Sequence, residues 1–209
     1  MEKEIPYFKQ PDDTHCFQAC LKMILKYFFP EKDFSWGELD KISDKAENKW
    51  TWVSSAAVEL NKMGLKVKHY AVFDYNDFVK IGDDYIRRTY EEPVAEKMIM
   101  LTDIKSEIEN ADRMLKENIF ELRELSLEDV ENWFKDGYAA IFLVNCSIMN
   151  KEPGYEGHYV ALTGFDGENV FINDPDRWKG SPNRKVEKSL FVKSWRFPKK
   201  ENTVILIKK

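Results

Sequence analysis

Cys16 is the residue best placed to act as a nucleophile. It lies in "KQPDDTHCFQACLKMIL" (9–25), where the polar turn QPDD gives way to an apolar helical pattern, so it falls in the first turn of a helix. Unpaired backbone N–H groups and the positive end of the helix dipole favour a thiolate there. Cys20, one turn deeper, lacks that benefit, and Cys146 ends a strand and reads as packing. A thiolate nucleophile also needs a base and a group that orients the base. Three histidines are available. His15 diverges from Cys16 by about 100° on the helix. His69, in the alternating strand "KVKHYAV", reads as solvent-facing. His158 opens the strand "GHYVALTGF", directly after Gly157.

That strand and "NVFIND" flank an Asp166-Gly167 turn, the signature of a hairpin. With Phe165 facing Glu168, His158 falls opposite Pro175 and Asp174 becomes its neighbour. A carboxylate beside an imidazole fixes its tautomer and stabilises its charged form. Asn173, on the alternate face, is a second candidate for the orienting role. Gln10, six residues before Cys16, can bring a side-chain amide to a developing oxyanion beside the Cys16 N–H. Gln10, Cys16, His158 and Asp174 together could cleave an amide through an acyl thioester.

These residues must be held by a sizeable fold. The chain has 209 residues, 43% hydrophobic and 14% aromatic, enough for one packed domain. The helix after QPDD runs from about Thr14 to Phe29, with Asp13 or Thr14 as its cap, and its only polar row is Gln18, Lys22 and Lys26. Such a narrow stripe marks a helix buried on most sides. Helices follow near 35–44 and 52–63, then a strand at 65–73. A charged, mostly helical stretch occupies 74–118, and another helix spans about 126–136. The last third is β-rich, with "YAAIFLVNCS", the hairpin and the closing "NTVILIKK". Helices first and antiparallel strands later define an α+β class. A net charge of −5 argues against a nucleic-acid binder. No run approaches the roughly 18 apolar residues of a membrane span, and "MEKEIPYFKQ" shows no secretory pattern. A cytoplasmic protein, with no nucleic-acid or membrane partner and reduced thiols, is the expectation.

The ordered set resembles the papain-like cysteine peptidases, and more closely the double-glycine leader peptidases, cysteine peptidase family thirty-nine, in stand-alone form. "FKQPDDTHCFQACLKMIL" is similar to that family's first block and "GHYVALTGFDGENVFINDPD" (157–176) to its second. The resemblance implies a single papain-like domain over 1–209, its buried central helix packed on a C-terminal antiparallel sheet. It makes 74–118 a helical insertion relative to the minimal domain. It also implies that Cys16 is the nucleophile, His158 the general base and later acid, and Asp174 the orienter. Gln10 and the Cys16 N–H would form the oxyanion hole, with a peptide or amide substrate and no cofactor. Phe17 departs from the pattern, since many relatives have glycine after the cysteine, and it would reshape the mouth of the site. Two other readings use the same residues. One is an acyltransferase or transpeptidase; the other is a non-catalytic binding module with a surface at Trp36, Trp50 and Trp52. A zinc site at Cys16, Cys20 and Cys146 lacks the paired short spacings that such sites show.

Overall fold

The structure, a computed structural model, describes residues 1–197 and 202–209. The first helix, α1, spans Cys16–Phe28, and its N-cap is His15 rather than Asp13 or Thr14. The cause is Asp12. Its Oδ1 accepts the Thr14 N–H and Thr14 hydroxyl, each at 2.8 Å, and lies 2.7 Å from His15 Nδ1. That carboxylate closes the preceding turn, so the chain enters the helix one residue later and Cys16 is the first helical residue. The polar row of α1 begins inside the protein, and only Lys22 and Lys26 reach its surface. Gln18 is fully buried and donates to Ser43 Oγ at 2.8 Å and Thr51 Oγ1 at 2.9 Å. Those bonds tie α1 to α2 (Trp36–Ser43), which starts with a Ser35/Glu38 capping box, and to the segment before α3 (Ser54–Lys62).

One seven-stranded sheet has the order β2-β1-β7-β3-β4-β5-β6. Its strands are β1 (Lys66–Ala71), β2 (Phe120–Leu122), β3 (Ala139–Asn145), β4 (Gly157–Phe165), β5 (Asn169–Asn173), β6 (Arg184–Glu187) and β7 (Val204–Lys208). All pairings are antiparallel except β1 with β2, and β7, last in sequence, lies between β1 and β3. Period-two alternation sorts the sheet residues into two cores. Ile141, Tyr159, Ala161, Ile205 and Ile207 pack with the α1 and α3 side, while Phe142, Val160, Leu162 and Leu206 pack with the opposite side. That second side is covered by α8 (Leu127–Lys135) and α10 (Lys188–Trp195). Helix α1 meets β4 directly, with the Phe17 and Tyr159 rings 4.8 Å apart. This contact sets the start of the helix against the start of the strand.

Residues 74–118 are helical, forming α4 (Tyr75–Ile81), α5 (Asp83–Thr89), α6 (Glu92–Leu101) and α7 (Ile104–Lys116). They overturn the reading of His69 as solvent-facing. Strict alternation puts His69 on the face of Val67 and Ala71, and that is the face these helices cover. His69 is fully buried, with Nδ1 3.4 Å from Met114 Sδ and its ring against those of Tyr75 and Phe120. Burial lowers its pKa to about 3, so it is a neutral core residue. No helix among the described residues is long and apolar enough to cross a membrane.

Candidate active site

The hairpin forms with a different register from the one read off the sequence. Asp166 Oδ1 accepts the N–H groups of Glu168 and Asn169 at 2.8 and 2.6 Å, while the Asp166 N–H donates to the Asn169 carbonyl at 3.1 Å. The side chain therefore widens the turn, and Phe165 pairs with Val170 instead of Glu168. A bulge between Leu162 and Gly164 brings the register back by one residue, so that Ala161 pairs with Asn173. His158 consequently lies beyond the ladder, without a strand partner in β5, and Asp174 reaches it from the segment that leaves β5. His158 Nε2 and Asp174 Oδ1 are 2.9 Å apart.

Asp174 is held on every side. Its Oδ1 also accepts the Asp176 N–H at 3.1 Å, and its Oδ2 accepts from Arg184 Nη1 at 2.7 Å. The Tyr7 hydroxyl donates to its carbonyl at 3.1 Å. Burial would raise the Asp174 pKa, but the bond from His158 and its charge, with the Asp176 N–H and Arg184, lower it to about 2. Asn173 points elsewhere. Its Nδ2 donates to the Ile5 carbonyl at 2.9 Å and its Oδ1 accepts the Asn183 N–H at 3.0 Å, so it clamps the N-terminal segment onto β5. Gly180 packs so closely on this loop that a Cβ there would sit 2.4 Å from the Asp174 and Asp176 carbonyl oxygens.

With Nε2 committed to Asp174, Nδ1 of His158 is left free to serve Cys16, which lines the same cavity. Burial alone would lower the His158 pKa, yet Asp174 and Cys16 together raise it to about 10. Cys20 and Cys146 are different: burial pushes both thiols up, and Glu156 adds to the effect at Cys146. His15 is engaged by Asp12 and by Asp40, 3.2 Å from its Nε2, and takes no part in the Cys16 pair. Gln10 is anchored by its N–H to the Pro175 carbonyl at 3.0 Å. That bond ties the loop before Cys16 to the loop after Asp174, and the Gln10 Oε1 is buried without a partner. The Cys16 N–H, at the first helical position, has no intrahelical acceptor. Gln10, Cys16, Phe17 and His158 all line one cavity of about 460 Å³.

Arg184 was not legible in the sequence. Only the pairing of β6 with β5, which sets Arg184 beside Ile172, brings it to Asp174. Its other nitrogen, Nη2, is fixed by Asn150 Oδ1 at 2.7 Å. Arg184→Met is expected to destabilise the fold by about 2–3 kcal/mol near neutral pH, because it strands a buried carboxylate beside a single remaining charged partner. Asp174 contributes its stabilisation above about pH 3.8 and loses it as the pH falls through about 2. The variant's deficit should therefore shrink below pH 3. Urea unfolding at pH 7 and pH 2.5 measures both; an equal deficit at the two values would detach Arg184 from Asp174.

An α+β fold with a cysteine opening its central helix and a histidine at the start of the facing strand defines the papain-like class of cysteine peptidases. The chain belongs to the Peptidase_C39 like family, whose model matches residues 2–202, and is accordingly a cysteine peptidase. Solved structures agree on the fold. The peptidase domain of Streptococcus ComA, a bifunctional ABC transporter involved in quorum sensing, aligns with a TM-score of 0.53 at 16% identity, over 99% of this chain and 100% of that one. A double glycine motif protease from an AMS/PCAT transporter, solved with its leader peptide, gives 0.52 at 16% identity, over 100% of this chain and 94% of that one. A C39-like peptidase from Bacillus anthracis gives 0.55 at 16% identity, over 99% and 95%. No curated protein matches the chain.

Proposed function

We propose that the chain hydrolyses a peptide or amide bond through a thioester on Cys16, with His158, Asp174 and Gln10 as its other catalytic residues. The observation that carries this reading is the buried His158, held at Nε2 by an ionised Asp174 and sharing one cavity with Cys16 at the start of α1. Cys16 Sγ attacks the carbonyl carbon, and the oxyanion that forms is met by the Cys16 N–H and the Gln10 amide. His158, carrying the proton, gives it to the departing amine as the tetrahedral intermediate collapses to a thioester. Water then attacks the thioester with His158 as base, releasing the acid and restoring the thiol. Asp174 holds the ring in one orientation throughout and stabilises its cation. Residues 74–118 are on this reading an insertion that forms one wall of the substrate cleft. The three free thiols suit a reducing, cytoplasmic setting.

The test is the alkylation rate of each cysteine against pH, read by mass spectrometry, in the wild type and in His158→Ala. Rapid labelling by iodoacetamide confined to Cys16 at pH 6, slowed at least tenfold in the variant, is the expected result. Slow and similar labelling of all three cysteines would overturn the assignment.

A further inference from the structure

The cavity at Cys16 is also lined by groups whose chemistry the bond-cleaving residues do not explain. Trp52 packs edge-on to Phe73 at 5.3 Å and to Tyr75 at 6.3 Å, and Tyr90 stacks on Phe73 at 6.4 Å. With Met98 and Leu101 these residues line the cavity. Tyr75, Tyr90, Met98 and Leu101 come from α4 to α6 or the turn that follows α5. This wall is fixed rather than loosely laid on. The Trp50 N–H donates to the Leu101 carbonyl at 2.5 Å, and the Trp52 N–H donates to Glu107 Oε1 at 3.1 Å. Lys97 also lines the cavity, its Nζ 5.4 Å from the centre of the Trp50 ring.

The Gln10 loop and the loop after Asp174 are joined by the Gln10–Pro175 hydrogen bond and by Arg177, 3.6 Å from Asp13. They contribute Asp13, Asp176 and the largely exposed Trp178 to the same lining. A pocket lined by rings, a methionine and a leucine gains most from a bulky apolar group and nothing from glycine.

We infer that the helices of residues 74–118 supply a specificity pocket, walled by Trp52, Tyr75, Tyr90, Met98 and Leu101, that takes a large apolar side chain close to the scissile bond. The substrate class is a peptide or acyl-amide carrying an aromatic or long aliphatic residue at or next to that bond. This assignment rests on the peptidase reading of Cys16, but the pocket itself can be tested apart from the chemistry.

Cys16→Ala would be titrated with the amides acetyl-Gly-Gly, acetyl-Phe-Gly and acetyl-Gly-Phe, following tryptophan fluorescence. In parallel, the corresponding peptide aldehydes would be tested as reversible inhibitors of iodoacetamide labelling at Cys16 in the wild type. Burial of one aromatic side chain predicts binding of a phenylalanine peptide roughly tenfold to a hundredfold tighter than the all-glycine peptide. Leu101→Trp, which fills the pocket, should erase that preference. If this variant fails to fold, Tyr90→Ala, which opens the wall, should cut the preference several-fold instead. Equal binding of all three amides by Cys16→Ala would overturn the pocket, whatever Cys16 does. A preserved phenylalanine preference with slow labelling of wild-type Cys16 and no protection by aldehydes would uphold the pocket and sink the thioester mechanism alone.

Discussion

His158→Ala is expected to lower kcat/KM on a cleavable peptide amide by roughly 10³–10⁴-fold. The size follows from how many tasks converge on this ring. In the proposed mechanism it holds the proton of the Cys16 pair, delivers it to the leaving amine and takes one from the attacking water. No neighbour can substitute: His69 is buried beside Met114, and His15 is turned toward Asp12 and Asp40. Because the two residues act as a unit, Cys16→Ala and the double variant Cys16→Ala/His158→Ala should be no worse than a few-fold beyond the single change. A loss under tenfold for His158→Ala would place proton transfer elsewhere. The pH profile adds an independent reading. With the His158 pKa raised from 6.5 to about 10, the wild-type rate should hold across neutral pH and fall only as the ring deprotonates near pH 10. The same interactions stabilise the fold fully below about pH 6.5 and cease to do so as the pH rises through about 10.

What could be read in the sequence depended on the range of the interaction that fixed it. Helix α1 and the β4–β5 hairpin are local patterns, and both were legible with their candidate residues attached. Their ends were less so, because side chains intervened. Asp12 moved the helix cap to His15, and Asp166 widened the turn and shifted the ladder. The His158–Asp174 pair survived that shift because both residues leave the ladder at the same open end, where one residue of slip is absorbed by the backbone beyond β5. His69 shows the opposite case. Its alternation was read correctly, but which face is covered depends on helices some forty residues later in the chain. Arg184 and the aromatic wall likewise exist only once β6 meets β5 and the 74–118 helices fold back on the Trp50–Trp52 segment. The candidate site residues carried a sequence signature; Arg184 and the aromatic wall did not.

Glu107→Gln is expected to change how stability varies with pH, and the effect is large for one atom's replacement. Glu107 lies inside α7, 5% exposed, with Oε1 accepting the Trp52 N–H and Oε2 buried without a partner. Burial raises its pKa from 4.5 to about 8, only partly opposed by the Trp52 bond, and Asp44 and Asp103 push it further up. The unfolded chain releases this proton near pH 4.5, while the folded chain keeps it to about pH 8. Between those values the native state binds more protons, so stability falls as the pH rises, and the loss is complete above about 8. Glutamine keeps an acceptor for the Trp52 N–H and never ionises. The variant should match the wild type near pH 4.5 and gain on it steadily, by up to about 4 kcal/mol at pH 9. Urea unfolding of both proteins at pH 4.5, 6, 7.5 and 9 isolates the difference, since every other titrating group is shared. Parallel curves would mean that the carboxyl ionises normally and has reached water. Diverging curves would show that the carboxyl holding the Trp52 N–H stays protonated well above pH 4.5.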